Sequence, residues 1–367
     1  MPTANIADLY RGRSVLITGG LGFIGSNLAH RLAALKNVKI VILDALVPNQ
    51  GGNYFNLSGV EADVTIYRGD MADEHVVNHL VSGVDYIFNL AGQPSHIDSF
   101  YHPLRDLDLN CRAHLTLLEA CRKFNPHVKI VFTSTRQVYG RPVYLPADEQ
   151  HRVAPVDING IHKLTAENYH LLYQRTYGAR AVCLRLTNTY GPRQLVCHNK
   201  QGFFGWFLRQ ALTGGVIELY GEGQQRRDLN YVDDVVEALL LAGASENAEG
   251  EIFNLGGDEP VTLAEVAERL ISLSGKGSLI DVPFPREQQL IDIGNCWLSC
   301  TKIETALGWR PRTPLDAGLA RTVEYFRESL PHYLNETGSF FPEAEPDAGL
   351  WREPEITRFD VVSEPHK

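Results

Sequence analysis

A run of glycines stands at the point where a predicted strand gives way to a predicted helix, and few folds can accommodate one there. Ser14 to Thr18 reads SVLIT, apolar and β-branched, and leads into Thr18-Gly19-Gly20-Leu21-Gly22-Phe23-Ile24-Gly25, after which Ser26 to Leu35 has helical spacing. The run satisfies GxGxxG from Gly20 and GxxGxxG from Gly19, and the next apolar strand ends on Asp44, 19 residues past Gly25. This is the order of a dinucleotide-binding βαβ unit, in which glycines let the backbone approach a pyrophosphate whose charge meets the helix N-terminal amides. Gly19, Gly20, Gly22, Phe23, Ile24 and Gly25 are therefore expected to bind the cofactor. Asp44 is expected to accept hydrogen bonds from the adenosine ribose and to repel a 2'-phosphate, selecting NAD over NADP. The competing structural reading is a glycine turn that only packs helix on strand, with Asp44 solvated at a strand end.

The same alternation continues through the first half of the chain. Apolar runs at Val38 to Leu43, Val64 to Tyr67, Val84 to Leu90, Val128 to Ser134 and Ala181 to Leu186 are separated by helix-patterned stretches, among them Pro103 to Lys123 and Asn159 to Tyr177. The fold expected is α/β: a Rossmann-type doubly wound parallel sheet with a second, smaller α/β substrate domain. The boundaries expected are residues 1–183 for the NAD-binding domain, with returning segments near 231–257, and 184–330 for the substrate domain. A Pro-containing acidic tail at 331–367 is expected to dock loosely or to be mobile.

Composition narrows the function classes. The 34 Lys+Arg against 44 Asp+Glu give a formal net charge of -10, which offers no field to attract nucleic acid or an anionic membrane. The six cysteines form no CxxC pair; Cys296 and Cys300 lack further ligands at zinc-like spacing, so no metal is expected and all six are read as free thiols. No stretch resembles a signal peptide or a membrane span, and the location expected is cytoplasmic.

The motifs together resemble the extended short-chain dehydrogenase/reductase family, which includes nucleotide-sugar epimerases and 4,6-dehydratases. The resemblance runs from about Ser14 to Leu330 through TGGLGFIGS, RGDMAD (68–73), NLAGQ (89–93), STRQVYG (134–140), RLTNTYGPR (185–193), RRDLNYVDDV (226–235), FNLGG (253–257) and LGWRP (307–311). It implies that Asp70 and Met71 flank the adenine, that Leu90, Ala91 and Gly92 line the cofactor cleft, and that Asn110 is structural. It implies further that Asn188 and Arg227 hold the diphosphate of a nucleotide-sugar substrate, and that the protein is a homodimer paired through the helices of 103–123 and 159–177. Asp70 also fits a turn or helix cap, Asn188 a structural hydrogen bond, and Arg227 a surface charge. Asp233 and Asp234 read as a helix start, and Cys197 and His198 as spectators.

By the same resemblance, Thr135 hydrogen-bonds the reacting sugar hydroxyl and Lys163 binds the nicotinamide ribose. The tyrosine that should stand four residues before the lysine is absent, and Asn159 occupies its place. Four residues apart on a helix, Asn159 and Lys163 share one face. A carboxamide orients but does not take a proton near neutral pH, which leaves Lys163, His162, His96 or a water chain on Thr135 for proton transfer. His162 is expected on the helix surface. The dehydratase acid and base that follow the threonine are also missing, replaced by Arg136 and Gln137. The function expected is NAD-dependent 4-epimerisation of a nucleotide-sugar through a transient keto sugar. The alternatives are a nucleotide-sugar dehydratase or dehydrogenase, and a catalytically weak NAD-binding scaffold or sensor.

Overall fold

The computed structural model describes residues 6–285, 289 and 291–334. In chain order the first part holds α1 (Ile6–Tyr10), β1 (Ser14–Thr18), α2 (Phe23–Leu35), β2 (Lys39–Asp44), β3 (Val64–Arg68), α3 (Glu74–Val81), β4 (Tyr86–Asn89), α4 (His96–Tyr101), α5 (Pro103–Leu107), α6 (Ala113–Phe124), β5 (Lys129–Thr135), α7 (Ile158–Tyr177) and β6 (Arg180–Leu186). There follow β7 (Asn188–Tyr190), α8 (Phe204–Thr213), β8 (Val216–Tyr220), β9 (Arg226–Arg227), β10 (Leu229–Tyr231), α9 (Val232–Ala244), β11 (Ile252–Leu255), β12 (Val261–Thr262), α10 (Leu263–Ser274), β13 (Ser278–Val282), α11 (Thr301–Leu307) and α12 (Leu315–Ser329).

Seven strands form one parallel sheet in the order β11-β6-β5-β4-β1-β2-β3. Strands covered on both faces read as continuous apolar runs, which is why SVLIT and KIVILD pattern as they do. Alternate residues feed opposite cores: Val15, Ile17, Ile40 and Ile42 pack with Leu28 and Leu32 of α2 and Leu239 of α9, whereas Leu16, Val41 and Leu43 meet Val77 of α3 and Leu117 of α6. The winding reverses between β1 and β4, and such a switch point opens a crevice at the carboxyl ends of the strands.

The second unit has its own core. Phe204 and Leu208 of α8, Val266 and Leu270 of α10 and Val323 and Phe326 of α12 close over Ile217 and Leu219 of β8, which pairs in parallel with β13. The chain returns to the large sheet through α9 and β11, carrying β11 to the edge beside β6.

One expectation needs correction. The helix expected over Pro103 to Lys123 is interrupted by a π turn at Asp108–Arg112, between α5 and α6. The wider turn re-aims the side chains on either side of it, and the buried Asn110 lies within it. At the start of the stretch expected to dock loosely or to be mobile, Tyr333 is buried and its hydroxyl donates to Asn56 Oδ1 at 2.7 Å. The remainder of that tail, residues 335–367, lies outside the described residues.

Candidate active site

A cleft of about 680 Å³ runs along the carboxyl ends of the strands and into the second unit. Its glycine end is built by close approach. Gly19 has φ +69°, and a Cβ there would stand 2.9 Å from Ala91 Cα; one on Gly25 would stand 2.3 Å from the Gly19 carbonyl oxygen. Side chains are thus excluded from the mouth of α2, leaving amides that suit a pyrophosphate. Gly20 is the exception among the predicted cofactor residues. It does not line the cleft, and a Cβ there would meet Ile42 Cγ2 at 2.6 Å, so its part is to seat the turn on β2.

Gly19, Gly22, Phe23, Ile24, Gly25, Asp44, Asp70, Met71, Leu90, Ala91 and Gly92 all line the cleft. Asp44 ends β2, its Oδ2 accepting from the Leu21 amide at 3.0 Å and its Oδ1 from the Leu46 amide at 2.8 Å. Burial raises its carboxyl above the usual range, against the pull of those two amides. Each oxygen retains acceptor capacity for a ribose hydroxyl. Asp70 Oδ1 accepts from the Ala72 amide at 2.8 Å, bracing the turn that presents the buried Met71.

The opposite end gathers Thr135, Asn159 and Lys163 on the cleft wall. Lys163 Nζ donates to the Thr133 carbonyl at 3.3 Å and sits over the Phe132 ring at 5.1 Å. Burial pushes the amine down to about 8, partly offset by the Asp106 carboxylate. A Cβ on Gly92 would come within 3.0 Å of Lys163 Nζ and 2.7 Å of Asn110 Oδ1, so glycine at this position admits both side chains. Asn159 is 2% exposed, and its Nδ2 donates to the Gln93 carbonyl at 2.5 Å and to Asp106 Oδ2 at 3.2 Å. Asn110 clamps the same loop, accepting from the Gln93 amide and donating to its carbonyl.

His162 is not the surface residue expected. Its Nδ1 lies 2.6 Å from Asp106 Oδ1, so one buried carboxylate holds both Asn159 and His162. His96 lines the cleft with its Nδ1 3.1 Å from Asp157 Oδ2, while Gln137 Nε2 stands 3.3 Å from its Nε2. Asp157 is also the N-cap of α7, accepting from the Gly160 amide at 2.6 Å. Asp157, Gln137 and Asp106 carry no role in the sequence reading. An aspartate directly before a helical stretch marks Asp157 as a cap, but nothing local points it at His96.

The substrate end faces the second unit. Asn188 opens β7, and Arg227 ends β9 with Nη2 3.3 Å from Asp292 Oδ1; both line the cleft. Ser134 Oγ, Arg136 Nε, Gln137 Oε1, Asn188 Oδ1, Thr189 Oγ1, Gln194 Oε1 and Gln225 Oε1 are buried without a hydrogen-bond partner, and all belong to cleft-lining residues. Buried polar atoms are seldom left unpaired, and this concentration fits a ligand rich in hydroxyl and amide groups. Among the described residues no His, Cys, Asp or Glu cluster could hold a metal, and the six cysteines are free.

A glycine cradle at the β1–α2 turn, a strand-end aspartate and a half-buried lysine opposite a threonine define a Rossmann-type dinucleotide enzyme with a second ligand-binding compartment. The family model described as the NAD dependent epimerase/dehydratase family matches residues 15–256, and the chain belongs to that family, its cofactor being NAD. The dTDP-glucose 4,6-dehydratase of Streptomyces niveus is 31% identical over 332 residues, 86% of this chain and 93% of that protein. A UDP-glucose 4-epimerase from Thermotoga maritima, solved with UDP-glucose, is 33% identical with a TM-score of 0.79, over 86% of this chain and 99% of that one. The UDP-glucose 4-epimerase of Thermus thermophilus, solved with NAD, is 33% identical with a TM-score of 0.76, over the same shares.

Proposed function

We propose that this enzyme inverts C4 of a nucleotide-sugar through a transient 4-keto sugar. Bound NAD supplies a hydride acceptor that becomes the hydride donor of the return step. Gly19, Gly22 and Gly25 hold the pyrophosphate, Asp44 the adenosine ribose, Asp70 and Met71 the adenine side, and Lys163 the nicotinamide ribose beside Leu90, Ala91 and Gly92. Thr135 uses its hydroxyl proton toward the sugar, since its oxygen already accepts from the Gln137 amide at 3.2 Å. Asn159 orients the Gln93 loop that walls the site. Asn188 and Arg227 receive the diphosphate, the guanidinium by charge-assisted hydrogen bonds.

The observation that carries epimerisation over elimination is the pair after Thr135. Arg136 is a guanidinium and Gln137 a carboxamide, so the wall offers no carboxylic acid at the place where loss of water needs one. The test is incubation with NAD and UDP-, dTDP-, GDP- and CDP-sugars, followed by chromatography and mass spectrometry. A new peak of unchanged mass is expected; a product lighter by one water overturns the reading, as does stoichiometric accumulation of NADH.

We also infer a cytoplasmic homodimer. Phe100, Tyr101, Leu104 and Leu107 are 46%, 65%, 76% and 41% exposed on α4 and α5, which pack against α7, where Ile161 is 49% exposed. Such a contiguous apolar face suits a second copy. Light scattering at micromolar concentration is expected to give twice the chain mass, and a monomer overturns this.

A further inference from the structure

We propose that His96, oriented by Asp157, is the catalytic group that takes the proton of the reacting sugar hydroxyl and returns it. The inference rests on the nucleotide-sugar reading above and assigns the acid/base role that Asn159 does not fill. An amide carries no proton away near neutral pH, and the Asn159 Nδ2 is already committed to the Gln93 carbonyl and Asp106. Tyr139, within STRQVYG, is fully buried, with its hydroxyl donating to Asn254 Oδ1 at 2.7 Å and accepting from Arg185 at 2.9 Å. Tyr139 lies outside the cleft lining, and Tyr220, which does line it, sits on β8 in the second unit.

At the Thr135 end of the cleft, the His96 imidazole and the Lys163 amine are the two side chains that can carry a proton away. Lys163 spends one N–H on the Thr133 carbonyl, and its ammonium lies against Phe132 and Gly92 on the cofactor side. The His96 side chain is 25% exposed toward the cleft, whereas its partner Asp157 is 1% exposed. The Asp157 carboxylate cannot swing away, because its other oxygen caps α7 at Gly160. An imidazole whose Nδ1–H faces a fixed carboxylate presents its Nε2 lone pair outward. Gln137 stands beside this ring and next to Thr135: its Nε2 lies 3.3 Å and 3.5 Å from the two ring nitrogens and 3.4 Å from Asp157 Oδ2, capping neither nitrogen alone, while its backbone N–H donates to Thr135 Oγ1.

The step balances. The sugar O–H proton passes to His96 Nε2 while the C–H hydride leaves to NAD and the carbonyl forms. On return the hydride attacks the other face of the carbonyl, Nε2 gives the proton back to oxygen, and the ring ends neutral. A carboxylate-paired imidazole in this role contributes on the order of 10²–10⁴ in rate.

The test compares wild type, His96→Ala, His96→Gln and Asp157→Asn with NAD and the nucleotide-sugar panel. NAD affinity is followed by quenching of tryptophan fluorescence, since Trp206 lines the cleft. His96→Ala is expected to lower kcat by about 100-fold or more, with NAD affinity within about threefold of wild type. Added imidazole should restore part of that rate, a recovery that a packing role does not produce. His96→Gln keeps side-chain volume and should lose the same rate. Histidine 15N NMR should show His96 as the Nδ1–H tautomer in wild type and lose that signature in Asp157→Asn. A wild type that turns over while His96→Ala stays within threefold of it overturns the His96 role alone. So does a loss that imidazole does not recover, or one accompanied by loss of NAD binding in both His96 variants. A wild type that converts none of the sugars overturns the nucleotide-sugar reading and the His96 role with it.

Discussion

Replacing Lys163 with methionine should make the cofactor-free protein more stable at neutral pH. Lys163 is half-buried on the cleft wall, and its amine is pushed from an ordinary 10.5 down to about 8, with desolvation as the main cause. At 1.36 kcal/mol per pH unit this is a penalty of about 3 kcal/mol for holding the cation in place. The sign follows from proton counting: between pH 8 and 10.5 the unfolded chain binds more protons than the folded one, so stability rises with pH across that window. Below about 8 both states carry the proton and the penalty is complete. Methionine removes it at every pH, while losing the 3.3 Å hydrogen bond to the Thr133 carbonyl, worth about 1 kcal/mol. The net gain at pH 7 is therefore about 2 kcal/mol. Urea unfolding of both proteins, stripped of NAD, at pH 7 and at intervals to about pH 10.5 should show this gain at neutrality and its disappearance at the alkaline end. NAD must be absent because it stabilises by mass action, and the variant should bind it poorly. Equal stabilities at pH 7, or a difference that does not change with pH, would refute the reasoning.

Four further outcomes follow from the same geometry. Gly25→Ala drives a Cβ to 2.3 Å from the Gly19 carbonyl oxygen and should cost about 1–3 kcal/mol together with at least a tenfold loss of NAD affinity by calorimetry. Asp44→Ala leaves the Leu21 and Leu46 amides without their acceptor and removes the charge facing a 2'-phosphate; the ratio of NAD to NADP affinity should fall, and an unchanged ratio counts against the assignment. Asn159→Tyr overfills a site only 2% exposed and deprives Asp106 of a donor, so melting temperature should drop without any gain in turnover; a rise above wild type would return the proton role to position 159. Arg185→Met strands the buried Glu167 carboxylate, which Arg185 pairs through two hydrogen bonds, and should destabilise by about 3–5 kcal/mol in urea unfolding.

Local pattern carried the sheet and one half of the cleft. The first strand ends where SVLIT ends, and the other five strands expected from apolar runs lie within about two residues of those runs; apart from the exposed edge strand β3, they are largely buried, and a strand buried on both faces has no polar alternation to blur it. The glycine turn, Asp44 and the four-residue spacing of Asn159 and Lys163 are likewise local signals. Gly20 shows the limit: its place in the motif is clear, but only the position of Ile42 on the neighbouring strand decides that it packs rather than lines the cleft.

What lies across the chain was not readable. Asp157 meets His96 from 61 residues away and Asp106 meets His162 from 56, and each pairing was silent in the sequence because the partner is brought to the carboxylate by the order of strands and a π turn. The βαβ cradle, the cofactor and the absence of a phenol at position 159 were legible from residue order alone, since these depend on neighbours within one helix or one turn. Which carboxylate orients which histidine, and which side chains face the cleft, emerged with the packed fold, because hydrogen bonds reach about 3 Å and sheet topology sets what stands within that distance.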